Sequence, residues 1–60
     1  MPKDVELSLI MESEPLQAIY LNTEAPEEKA WALRLLRLSS RLGIAKGQYI
    51  EAKLLLNGRI

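Results

Sequence analysis

Leu16-Gln17-Ala18-Ile19-Tyr20-Leu21-Asn22 is the stretch whose conformation separates one fold from another. It is rich in strand-favouring residues and is bounded by Pro15 on one side and Asn22-Thr23 on the other, which predicts a short strand. The rival is a helical turn beginning at Pro15, because Leu16, Ile19 and Tyr20 would line one face of that turn. Just upstream, Val5-Glu6-Leu7-Ser8-Leu9-Ile10-Met11 alternates apolar and polar residues and then loses the alternation at Ile10, and Glu12-Ser13-Glu14-Pro15 punctuates the chain. Residues 1–15 therefore read as an acidic N-terminal segment ahead of a domain spanning residues 16–60.

Downstream the pattern is helical. Pro26 suits a first-turn position, Thr23 or Ala25 can cap, and Glu24, Glu27 and Glu28 place negative charge at the positive end of the helix dipole. A helix over about residues 26–42 follows, closed by Gly43, and a second over about 46–57 exits through Asn57-Gly58. In the first of these, Trp31, Leu35, Leu38 and Leu42 form one stripe, while Leu33 and Leu36 fall nearly opposite. In the second, Tyr49, Ala52 and Leu56 form one stripe, Ile50 and Leu54 another, and Leu55 lies on the far side. A hairpin of two helices covers one face of each, so strands, a second subunit or both must cover the rest.

Length points the same way. Sixty residues, of which 48% are hydrophobic, make a marginal core, and with no Cys and no His neither a disulfide nor a structural zinc site can supplement it. A homodimer, or an obligate complex with another protein, is the expected remedy. Ile19, Leu21, Trp31, Leu33, Leu36, Tyr49, Ile50, Leu54 and Leu55 are the candidates for its interface or for a partner's.

Charge is sorted along the chain. Residues 1–28 hold seven acids and one base (Lys3), and residues 29–60 hold seven bases and one acid (Glu51), so halves of −6 and +6 hide behind a net charge of zero. The basic half suits a polyanion or an acidic protein, and the acidic residues 1–15 suit a further protein partner. Arg34, Arg37 and Arg41, at i, i+3 and i+7, line the border of the apolar face; the same spacing also serves a plain rim whose stems cover core edges. Lys46 differs, because it sits at a helix start where free backbone N–H groups already favour an anion.

Catalysis is not expected. Ser8, Ser39 and Ser40 have no base beside them, the Glu12/Glu14 and Glu27/Glu28 pairs read as solvated or dipole-compensating carboxylates, and the three glycines form no phosphate-binding motif. No cofactor and no metal are implied. No run of about 18 apolar residues exists to span a membrane, the N-terminus lacks the pattern of a signal peptide, and a cytoplasmic location is the default expectation.

Arg41-Leu42-Gly43-Ile44-Ala45-Lys46-Gly47-Gln48-Tyr49-Ile50 resembles the inter-helix turn of ribbon-helix-helix repressors of the Arc/MetJ type, and Trp31, Leu35, Leu38, Ser39 and Leu42 match that family's apolar or small positions. The resemblance covers about residues 16–57. It implies a mainly α fold with one short N-terminal strand, in an intertwined dimer whose two-stranded ribbon enters the major groove of double-stranded DNA. On this reading Ala18, Tyr20 and Asn22 face the bases, Ile19 and Leu21 turn inward, and Ala45, Lys46, Gly47 and Arg41 hold phosphate. The function so implied is a DNA-binding transcriptional regulator, a repressor or antitoxin-like protein. Two other likenesses lead elsewhere: Leu38-Ser39-Ser40-Arg41-Leu42-Gly43-Ile44 is similar to a helix-turn-helix. Gly47-Gln48-Tyr49-Ile50-Glu51-Ala52 is similar to part of a tetratricopeptide repeat, which implies a helical protein-interaction module without DNA binding.

Overall fold

Among the described residues the chain folds as four helices: α1 (Lys3–Glu12), α2 (Glu14–Asn22), α3 (Pro26–Arg41) and α4 (Ala45–Leu56). The structure, a computed structural model, describes residues 3–60. Helices α3 and α4 lie within a residue or so of the expected spans. Residues 16–22 do not form a strand. They lie inside α2, and no strand exists among the described residues, so neither the two-stranded ribbon nor the intertwined dimer built on it is the fold of this chain.

The reason lies in the period of burial. Leu16 and Tyr20, four residues apart, are buried, Ile19 is half-buried, and Ala18, Leu21 and Asn22 are exposed, which is one face of a helix. Pro15 falls in the first turn of α2, where a missing N–H costs nothing. Strand propensity in Ile19 and Tyr20 yields to the packing that α3 offers this face.

Ser13 makes the corner between α1 and α2. Its φ of 65° is left-handed, a conformation that costs a non-glycine residue about 1–2 kcal/mol, and the surrounding bonds hold it there. Its N–H donates to the Leu9 carbonyl (2.8 Å), closing α1, and its own carbonyl accepts from Leu16 and Gln17, opening α2. The side chain is fully buried and donates to the Ile10 carbonyl (3.1 Å). That leaves the Ser39 hydroxyl of α3 to donate across the 2.8 Å between the two Oγ atoms.

At the other corner, Gly43 (φ 83°) ends α3, and Ile44 N–H donates to the Ser39 carbonyl. The chain then turns so that Gly47 of α4 lies against Ser39. A Cβ on Gly47 would come within 3.0 Å of the Ser39 carbonyl carbon and closer still to the Ser39 side chain. The core between the helices is Ile10, Leu16, Tyr20, Ala32, Leu35, Leu36, Ile50 and Leu54, with Leu9, Ile19, Trp31, Leu33, Ile44 and Ile60 packed at its edge. Helix α1 is tied on by Trp31, whose indole N–H donates to Glu6 (3.2 Å). The radius of gyration, 10.6 Å, matches the roughly 10 Å expected of one closed 60-residue domain.

Replacing Gly47 with Ala tests the α3–α4 crossing. The forced separation from Ser39, about 1–3 kcal/mol for overpacking, exceeds the roughly 1 kcal/mol that Ala gains over Gly in a helix. The urea midpoint of Gly47→Ala is therefore expected below that of the parent chain; an unchanged or raised midpoint would mean the helices do not approach this closely.

Candidate functional site: the groove between α2 and α4

Helices α2 and α4 lie side by side and point the same way. At their starts Lys46 Nζ meets Glu14 Oε1 at 2.8 Å, and near their ends the Tyr20 hydroxyl donates to the Arg59 carbonyl at 2.6 Å. Between these ties an open groove of about 540 Å³ is lined by Glu14, Gln17, Ala18 and Leu21 from α2 and by Lys46, Tyr49, Ile50 and Lys53 from α4. The helical period explains the lining: 14, 17, 18 and 21 share one stripe, as do 46, 49, 50 and 53. Ile50 is the buried floor, whereas Leu21 is 41% and Tyr49 65% exposed, so the groove offers apolar surface to solvent. Lys53 lies over the Tyr49 ring, 5.4 Å from its centre.

The residues expected to read bases part company. Ala18 lines the groove and Asn22 is exposed at the end of α2, but Tyr20 points into the core, with its hydroxyl spent on Arg59 and with Lys29 Nζ 4.5 Å from its ring centre. Lys29 also donates to the Tyr20 carbonyl (2.7 Å), a cation placed on the C-terminal end of α2. The phosphate set divides as well. Ala45 and Arg41 are exposed, Gly47 is buried against Ser39, and Lys46 is held by Glu14. Of the interface candidates, Leu36, Ile50 and Leu54 are buried inside this one chain, Ile19, Trp31 and Leu33 are half-buried, and Leu21, Tyr49 and Leu55 face solvent.

The sequence assigned Gln17 and Lys53 no role and showed Glu14 only as one of a solvated carboxylate pair with Glu12. For Glu14 and Gln17 the signal was the helical spacing of 14, 17, 18 and 21, which a strand reading of the segment hides, and for Lys53 it was the spacing of 46, 49, 50 and 53 on a helix the sequence did show. Nothing in the spacing brings Glu14 and Lys46 together across 32 positions, since only the path of α3 does so. Among the described residues no group of three or more metal-ligating acids, histidines or cysteines converges, and no helix is long and apolar enough to cross a membrane.

The hydrogen bond and the charge of Lys46 hold the Glu14 carboxyl below its ordinary range, and Glu14 raises Lys46 in return, with Glu12 adding a smaller attraction. The depressed Glu14 contributes stability above its unfolded pKa and loses it as pH falls through the lower folded value. The raised Lys46 contributes below its unfolded pKa and loses it as pH rises through the higher folded one. Both side chains stand in water, so the pair fixes geometry more than it stabilises. An NMR titration of the Glu14 carboxyl is expected to show a midpoint below that of an ordinary glutamate, moving up in Lys46→Met; equal midpoints in the two proteins would dissolve the pair. No protein-family model, curated protein or solved structure matches the chain.

Proposed function

We propose that the chain is a small helical protein-interaction module that receives an amphipathic helix of a partner protein in the α2/α4 groove. The observation that carries this is the pairing of a buried floor, Ile50, with two solvent-facing apolar walls, Leu21 and Tyr49, in a trough open along two parallel helices. A helix laid in such a trough anchors residues at i, i+3 or i+4, and i+7. Lys53, over Tyr49 at one end of the groove, favours an acidic residue on the occupant there, while Lys46 at the other end is already paired with Glu14.

The DNA-regulator reading draws less support. Its base-reading ribbon has no counterpart in four helices, and its phosphate anchor, Lys46, is paired with Glu14 beside Glu12. A bound phosphate there would have to displace one carboxylate and approach another.

A designed peptide helix with a Leu stripe and Glu flanks, titrated into labelled protein, tests the proposal directly. Amide shifts are expected at Ala18, Leu21, Tyr49 and Lys53, and they are expected to vanish in Leu21→Lys with Tyr49→Lys, whose exposed positions leave thermal stability within about 1 kcal/mol of the parent. Shifts scattered away from the groove, or retention of a DNA duplex that both proteins bind equally at low salt, would end this reading.

A further inference from the structure

The outer face of α3 carries a pattern that fits its own reverse. Ala30, Leu33, Arg34, Arg37, Leu38 and Arg41 line a shallow exposed trough on the side of α3 away from the core residues Ala32, Leu35, Leu36 and Ser39. Glu27, also exposed, lies at the N-terminal end of the same stripe, seven residues before Arg34 and fourteen before Arg41. Fourteen residues are close to four helical turns and about 21 Å, so acid and base stand at opposite ends of one line. We infer that two copies of this chain associate through α3, packed antiparallel about a two-fold axis at Arg34.

In that arrangement Glu27 of each copy faces Arg41 of the other, and Ala30 faces Leu38. A small residue opposite an exposed leucine lets the two helices approach while the leucine, now 41% exposed, leaves water. The interface is isologous, as a two-fold demands: whatever one copy offers, the other receives.

Charge also selects the register. Sliding the copies until Leu33 meets Leu38 would match two apolar pairs, but it would set Arg34 against Arg37 and leave Glu27 with no base. Of these two registers the Arg34-centred one gives both acids a partner and also sets Ala30 against Leu38. Its cost is one Arg34–Arg34 encounter at the axis, where the long stems can lie flat and carry the guanidinium groups outward. Arg37 is partly neutralised within its own chain by Glu51, 3.8 Å away.

One 16-residue helix buries less than the roughly 1,200 Å² of a standard stable interface, so the dimer dissociates on dilution. The surface is separate from the α2/α4 groove, so a dimer would present two grooves to a partner and bind bivalent targets more tightly than single ones.

Sedimentation over a wide concentration range, with helicity followed by circular dichroism, tests the inference. The parent chain is expected to pass from monomer to dimer, and Leu38→Lys is expected to stay monomeric while remaining helical. Glu27→Arg and Arg41→Glu should each weaken association about tenfold, the combined effect of two lost pairs, and the double variant should recover it. Because the chain has no Cys, Arg34→Cys introduces a single thiol at the axis; with oxidised glutathione it is expected to give a disulfide-linked dimer, whereas Asn22→Cys is not. The inference is overturned by a chain monomeric at every concentration, by a folded double charge variant that fails to recover, or by a monomer whose α3 arginines instead bind a DNA duplex.

Discussion

All four helices meet where the hydroxyls of Ser13 and Ser39 touch and Gly47 closes over Ser39, and most of the architecture follows from that meeting. The bond joins the α1–α2 corner to the last turn of α3, and the missing side chain at Gly47 brings the first turn of α4 onto the same spot. Every buried side-chain oxygen or nitrogen among the described residues has a partner, so this polar junction inside an apolar core carries no desolvation debt. It is also the only place where a serine is held in a left-handed conformation, which the surrounding bonds impose and glycine would adopt more freely.

The junction explains how part of the apolar surface of α3 and α4 is covered within one chain. Leu36 and Leu54, on faces that a two-helix hairpin would leave open, are fully buried because α1 and α2 fold back over α3. Coverage is uneven. Leu38 and Leu42 on α3, Leu55 and Leu56 on α4, and Leu7 and Met11 on α1 remain exposed, so a surface rich in leucine survives the closing of the core. A chain this short has too little mass to hide all its apolar residues.

The second half of the fold was legible in the sequence and the first half was not, for a physical reason. Pro26 and Gly43 delimit α3 by fixed backbone preferences, but its buried face, Ala32, Leu35, Leu36 and Ser39, falls between the two stripes that the sequence suggests, and Leu38 and Leu42 of the Trp31 stripe are exposed. In α1 the apolar residues ring the helix, with Ile10 inside and Val5, Leu7 and Met11 outside, so no period announces it. In α2 the composition favours a strand, and only the four-residue step from Leu16 to Tyr20 speaks for the helix that α3 stabilises. The groove was half legible: Leu21, Tyr49 and Ile50 were named as interface candidates, while Glu14 and Gln17 join them on one side only once residues 14–22 are helical. The left-handed Ser13 could not be foreseen, since serine gives no local preference for it.

Trp31 is the sole tryptophan, it sits half-buried at the edge of the core, and its ring nitrogen is engaged by Glu6 of α1. Whenever the first helix lifts from the third, that indole loses a carboxylate neighbour and gains water, while Tyr20 and Tyr49, on α2 and α4, have no such contact with α1. The molecule thus contains an intrinsic optical gauge whose emission colour shifts when α1 undocks, even while the other three helices stay packed.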